Sequence, residues 1–187
     1  MPRSRAHSFF RGAALIWSVV AIVAHSDAGV AFPLWMLLFA SLLVIGIGWL
    51  LALAVATFTA RPPDRTRGDV LRSWLRVPLP ILVTLVLIWL LVPLRVRLFL
   101  SGPALQQSAA YLSRQPPPRF QDGPPWVGLF RVREFSQFGG ELRFLTSSCG
   151  FVDNCGLVFS PNGPPPNRGE DTFEHLYAEW WHWHQSW

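Results

Sequence analysis

Long apolar runs fill the first half of the chain, and short alternating ones fill the second. The first run covers 9 to about 25 (FFRGAALIWSVVAIVAH), the second 33–57 (PLWMLLFASLLVIGIGWLLALAVAT) and the third 77–94 (VPLPILVTLVLIWLLVPL). The last two carry no charge. At about 1.5 Å of rise per residue, each run is near or above the length that crosses a bilayer. The pattern predicts membrane-spanning helices over about 9–28, 33–57 and 77–97. The first is the shortest, and Arg11 near its start can reach the headgroups along its own aliphatic stem. That run has a second reading as a cleaved leader, with a basic start (Arg3, Arg5, Arg11) and Ser26 and Ala28 spaced like a cleavage site. Because another apolar run follows at once, a helical hairpin fits too, and both readings leave residue 30 outside.

Within the second run, Gly48, Ala52 and Ala56 recur every four residues. Small side chains then share one helix face, where another helix can approach closely, from this chain or from a second copy. Ser41 and Thr84 are the notable polar residues well inside the last two runs. Transporters and channels place polar or ionisable groups, or broken helices, at that depth, which argues against transport by a single chain. His7 and His25 lie at the ends of the first run and do not support a transmembrane bis-histidine haem.

Beyond residue 100 the period changes. In SGPALQQSAAYLSRQPPP, Ser101 is placed to cap a short helix, Pro103 suits its first turn and the 116–118 proline run ends it. Ala104, Leu105, Ala109 and Leu112 make a weak stripe along it. From Leu129 on, Phe130 and Val132 alternate with Arg131 and Arg133. FGG, ELRFLT and CGFVDNCGLVFS follow, which predicts an antiparallel meander of three or four strands. PNGPPPNRGEDT reads as an exposed loop.

The closing HLYAEWWHWHQSW has two readings. As a helix, capped by Asp171 or Thr172, it presents Phe173, Leu176, Tyr177, Trp180 and Trp187 on one face and His175, Glu179 and His182 on the other. As a strand, which tryptophan favours, it points Trp181 and Trp183 one way and His182 and His184 the other. Either arrangement offers metal ligands: His175, Glu179 and His182 in the helix, or His182 and His184 plus ligands from another strand. The tryptophans equally suit a small core or the lipid interface.

Composition adds compartment and orientation. The chain of 187 residues is 51% hydrophobic and 14% charged, with a mean hydropathy of +0.30. Soluble domains carry about a quarter charged residues. All sixteen basic residues are Arg, as a GC-rich genome would encode, and the formal charge is +5. Residues 1–100 carry +7 and residues 101–187 carry −2. A nucleic-acid binder would concentrate positive charge on its folded domain; here it flanks apolar runs. Arg3, Arg5 and Arg11 precede the first run, and Arg61, Arg65, Arg67, Arg72 and Arg76 sit in the loop 59–76. The loop around HSDAGV has no Arg. The positive-inside rule then puts the N-terminus and the 59–76 loop in the cytoplasm and 101–187 outside, with Arg95 and Arg97 on the minority side.

Cys149 and Cys155 are the only cysteines. In a segment placed outside the cytoplasm they suit a disulfide across a turn, worth roughly 2–3 kcal/mol in the chain-entropy model. FLTSSCG also resembles the strand-end cysteine segment of sortases, which would make Cys149 a nucleophile and His175 its base. Sortases carry that histidine upstream of the cysteine, and no histidine lies between His25 and His175 here.

VPLRVRLFLSGPAL at the membrane exit and RFLTSSCGFVDNCGLVFSPNGPPP followed by EHL and WWHW carry one further resemblance. They resemble a group of multi-pass membrane proteins of GC-rich bacteria, over about the last hundred residues. The resemblance implies a bacterial plasma membrane and no particular activity.

The sequence therefore predicts an α+β membrane protein, with three transmembrane helices in 1–100 and a small β-rich extracytoplasmic domain with one short helix in 101–187. The expected role is a non-enzymatic interaction module needing no cofactor. Its partners would be the lipid bilayer and a membrane or envelope protein, or a second copy of the chain. A metal-binding module using His175, Glu179, His182 and His184 is the first alternative, and a Cys-dependent membrane enzyme the second.

Overall fold

The computed structural model of the protein describes residues 2–58, 67–114, 121–122, 126–149, 153–167 and 169–186. Arg61, Arg65, the 116–118 prolines, the 150–152 part of the cysteine loop and Trp187 lie outside the described residues, and for Arg3 and Arg67 only the helical backbone is described. The chain divides into two compact units. Unit 1 comprises Met1–Ile22 and Trp35–Leu90, and unit 2 comprises Val23–Leu34 and Leu91–Trp187.

Unit 1 is helical. Its helices are α1 (Pro2–Ala24), α2 (Phe32–Phe58), α3 (Arg67–Trp74) and α4 (Leu79–Trp89), with the inner ends of α1 and α2 reaching into unit 2. Three stretches are long and apolar enough to cross a membrane: Arg5–Ala24, Phe32–Phe58 and Leu71–Trp89. Ala14, Trp17, Ser18 and Ala21 form the buried face of α1 at helical spacing, and Trp17 Nε1 donates to the Leu38 carbonyl of α2 at 3.0 Å. The small-residue face of α2 turns inward at both ends: Ala56 is buried, and a Cβ on Gly48 would stand 3.2 Å from the Phe10 ring of α1. The rest of α2 is bare apolar surface, with Val44 72% and Phe58 83% exposed. Water would penalise so much exposed hydrocarbon, whereas lipid does not. The protein is a multi-pass membrane protein.

The third apolar stretch takes in the end of α3 and all of α4, from Leu71, and its helix stops earlier than the sequence run suggests, at Trp89. Pro93 explains the stop: it has no N–H to donate and its ring collides with the carbonyl four residues back, that of Trp89. The chain turns through Leu91, at a φ of 53°, and restarts as α5 (Val92–Leu112) with Pro93 in its first turn. The helix expected from Ser101 is thus the second half of a helix of 21 residues.

In unit 2, α5 lies on one face of a six-stranded antiparallel sheet. The strands are β1 (Gln121–Asp122), β2 (Glu134–Phe138), β3 (Glu141–Cys149), β4 (Asp153–Phe159), β5 (Asp171–Tyr177) and β6 (Trp180–Gln185), in spatial order β1-β2-β3-β4-β6-β5. The expected meander forms through β4, but its predicted first run, Leu129 to Arg133, lies before β2 in a turn and irregular segment with one bridge between Val127 and Phe130. The C-terminal hairpin then adds two strands, with β6 against β4 and β5 at the edge. Leu94, Leu98, Ser101, Leu105, Ala109 and Leu112 are the buried face of α5, and the leucines and Ala109 share a core with Phe135, Leu142, Phe144, Leu157 and Trp180 of the sheet. The β2–β3 turn uses Gly139 and Gly140 at φ 57° and 93°, the double left-handed geometry of a tight hairpin.

Ser101 is not a helix cap. It is buried in mid-helix, and its Oγ accepts the Leu129 N–H at 3.0 Å. Arg97, one helical turn earlier, binds the same loop. Its Nε donates to the Leu129 carbonyl at 3.2 Å, its Nη1 lies 3.2 Å from Ser26 Oγ and 3.6 Å from Asp27 Oδ2, and its guanidinium stacks over Phe130.

Cys149 and Cys155 form a disulfide between β3 and β4 with a Cα separation of 5.6 Å. Beside it β3 bulges between Leu145 and Ser147, opposite Gly156. A Cβ at Gly156 would stand 2.1 Å from the Phe144 carbonyl, so only glycine fits. Gly156→Ala is expected to lower stability by roughly 1–3 kcal/mol, the usual cost of overpacking. Ala178, in the β5–β6 turn, holds a φ of 49° at a cost of about 1–2 kcal/mol for a residue with a Cβ. Ala178→Gly should therefore raise the melting temperature of the detergent-solubilised protein while Gly156→Ala lowers it, both read by near-ultraviolet circular dichroism.

Candidate functional site

One face of the sheet is filled by α5, and the other carries the ionic cluster of unit 2. Strand alternation directs Glu141 and Arg143 of β3, Asp171 and Phe173 of β5, and Trp183 of β6 to this second face. Arg143 Nη1 donates to Asp171 Oδ2 at 2.9 Å, and Trp183 Nε1 donates to Asp171 Oδ1 at 3.0 Å. Glu141 Oε2 lies 3.6 Å from Arg143 Nη2. The side chains of all three charged residues are at most 6% exposed. Phe138, Phe173 and Trp183 surround the guanidinium with ring centroids 5.7, 5.5 and 5.1 Å away, which suits the weakly hydrated, planar cation.

The cluster floors a groove of about 380 Å3 whose walls include Glu134, Ser136, Phe138, Asn154 and Gln185. Among the described residues, the buried Arg143 Nε and Nη2 and Glu141 Oε2 make no hydrogen bond, so the cluster is held by charge beneath the groove.

The histidines expected as metal ligands are dispersed. The closing segment is neither a helix nor one strand but the end of β5, a turn at Ala178 and Glu179, and β6, which carries Trp180, Trp181 and Trp183. The helical set His175, Glu179 and His182 does not assemble. His175 pairs with Trp181 on the groove face, its Nε2 donating to the Ala178 carbonyl at 2.8 Å. Glu179 sits exposed in the turn, where its carbonyl accepts the Ser160 N–H at 2.8 Å. His182 and His184 share the opposite, α5-facing side, and His184 Nε2 lies 3.4 Å from Asp153 Oδ2. His182 Nε2 donates to the Ala28 carbonyl at 2.7 Å, which ties the 23–34 segment to β6 and fixes the proton on that nitrogen. Burial disfavours its charged form and lowers its pKa, against the Ala28 bond and Glu174, which raise it. The tryptophans divide between the faces. Trp180 packs against Phe144 and Phe159 under α5, while Trp183 holds Asp171.

Cys149 is joined to Cys155 and has no free thiol, and His175 is held at the far turn of the β5–β6 hairpin. The sortase-like pairing of these two residues is not formed. Asp171 had an expected role as a helix cap; it begins β5 and anchors the ionic cluster instead. Glu141 and Arg143 carried one signal in the sequence, their shared parity in ELRFLT, which places both charges on one face without revealing that this face is buried.

No protein-family model, curated protein or solved structure matches the chain.

Removing one member of a buried ion pair strands the other, at about 3–5 kcal/mol. Asp171→Ala should cost that much, and Arg143→Met combined with Asp171→Leu and Glu141→Leu, which leaves no buried charge unpaired, should recover most of it in thermal melts. For His182 the sign follows from its lowered pKa. The unfolded chain, titrating near 6.5, takes up a proton more readily than the folded one. His182 therefore contributes its full stability above pH 6.5 and loses it as pH falls below that value towards the folded pKa. His182→Gln, which can still donate to Ala28, should melt with a smaller loss between pH 7.5 and 5 than wild type.

Proposed function

We propose that this protein is a bacterial plasma-membrane scaffold that presents its sheet outside the cytoplasm as a non-enzymatic interaction module. The partner would be another membrane or envelope protein. The observation that carries this reading is the groove over Arg143, Asp171 and Trp183. It is a recess over a buried ion pair, walled in part by the polar residues Ser136, Asn154 and Gln185, on the sheet face that α5 leaves bare. The disulfide, Gly156 and the buried ion pair hold that floor in one shape, which lowers the entropy lost on binding.

The orientation rests on the Arg distribution, with the N-terminal arm and the 59–76 loop inside. Arg97 on the exit side is engaged by Asp27, Ser26 and the Leu129 carbonyl, which weakens it as a topological signal. Ser26, Asp27 and Ala28 all bond within unit 2, so the helical-hairpin reading suits residues 9–57 better than a cleaved leader.

Photo-crosslinking in intact cells tests the role. A photoreactive residue in place of Ser136 or Gln185, on the groove wall, should trap one discrete protein. The same residue at exposed Glu179, outside the groove, should not. Asp171→Asn in the Ser136 background should reduce the adduct at least fivefold at unchanged protein level. Equal adducts at all three positions, or none at the groove, would contradict the proposal.

A further inference from the structure

We infer that Cys149, Cys155 and His184 form a thiolate–imidazole metal site, of the kind that takes Zn²⁺, once their disulfide is reduced. Two sulfurs and a ring nitrogen of these residues lie within 4.8 Å of one another. They come from three adjacent strands. Cys155 and His184 are directly opposite one another across β4 and β6, and Cys149 is opposite Asp153 across β3 and β4. The Asp153 carboxylate, 3.4 Å from His184 Nε2, stands outside that cluster and can serve as the acceptor that orients the imidazole. The site is on the α5-facing side of the sheet, away from the groove, and extends beyond the interaction role.

A tetrahedral zinc ion holds thiolates at about 2.3 Å and imidazole nitrogen at about 2.0–2.1 Å, so its ligand atoms stand roughly 3.5–3.8 Å apart. Side-chain rotations alone bring a 4.8 Å cluster into that range, because the strands already hold the backbone. Cys149 and His184 are partly exposed, which leaves the ion a path in, while Cys155 is buried. With the disulfide intact the sulfurs have no charge to offer. Reduction needs two electrons from a dithiol of the envelope or a phosphine in vitro. The S–S bond breaks, two thiols form and the reductant is oxidised. On metal binding both thiols release their protons to solvent, and neutral His184 gives a lone pair. Soft thiolates beside imidazole favour Zn²⁺, with Co²⁺ as its spectroscopic stand-in.

The test uses the full-length protein in detergent, oxidised or reduced with a phosphine, titrated with Zn²⁺ against a chromophoric chelator and separately with Co²⁺. Reduced wild type should bind one Zn²⁺ at least 100-fold more tightly than the oxidised form and should show a thiolate-to-cobalt charge-transfer band. His184→Ala and His184→Gln should each weaken binding at least tenfold. Both keep the disulfide, so their oxidised forms can be checked for wild-type circular dichroism. Cys149→Ser with Cys155→Ser should abolish the cobalt band. The inference is overturned if reduced wild type binds no better than that double variant, if both His184 variants bind like wild type, or if reduction unfolds the protein without zinc uptake. Crosslinking from Ser136 in oxidised protein is independent of each of these outcomes.

Discussion

The packing of α5 across one face of the sheet is the constraint on which unit 2 depends. Its buried positions, Leu94, Leu98, Ser101, Leu105, Ala109 and Leu112, step by three and four and make one continuous face. That face covers Phe135, Phe144, Leu157 and Trp180. Each leucine removed from water contributes roughly 1.5–3 kcal/mol. Without the helix, an open sheet of six strands would have no core on this side. The helix also recruits the loops: Arg97 and Ser101 both bind Leu129, and Arg97 reaches Asp27. A Cβ at Gly128 would meet Ser101 at 2.6 Å, so the loop can sit this close only with glycine there, at a φ of 60°.

Once one face is committed to the helix, the other is free to be specialised. It is built on a buried cation with two carboxylates rather than on more hydrocarbon. Such a cluster is weak evidence for stability, because desolvation offsets much of the attraction. What it supplies here is definition. Asp171 accepts from a β3 arginine and a β6 tryptophan at once, which fixes β5 relative to two other strands. Arg143 fills its aromatic surround beneath the groove. The disulfide pins β3 to β4 beside the bulge, where the ladder is interrupted.

The elements set by local pattern were legible in the sequence. The first two apolar runs became helices, ELRFLT and the Cys155 segment became strands, FGG gave the hairpin turn, and the tryptophan-rich end carries β6. The alternating Phe130–Arg133 run, by contrast, lies before β2 with only an isolated bridge at Phe130. The third run misled at its end because hydropathy weighs Pro93 as an ordinary apolar residue, whereas its missing N–H stops the helix. Ser101 looked like a cap because Ser-Gly-Pro is a common helix start; a helix already under way from Val92 overrides that preference. The Arg143–Asp171 pair was not legible at all. Its members are 28 residues apart, on strands with two others between them, so no local pattern in the sequence points to the pair. The histidines suggested one ligand set because spacing was the only guide. The β5–β6 hairpin puts His175 on one face and His182 and His184 on the other, and pairing across β4 gives His184 two cysteines as neighbours instead.

Apolar helices with so much uncovered surface belong in a bilayer, and the charge asymmetry between the two halves of the chain orients them there in our proposal. The groove is useful to an envelope partner only if unit 2 faces outward. Cysteine labelling in intact cells tests that orientation most directly. In a background with Cys149 and Cys155 changed to Ser, Glu179→Cys marks the exposed β5–β6 turn and Arg72→Cys marks exposed α3. A membrane-impermeant maleimide should label Glu179→Cys in intact cells and Arg72→Cys only after lysis. Labelling of Arg72→Cys from outside, with Glu179→Cys protected until lysis, would contradict it.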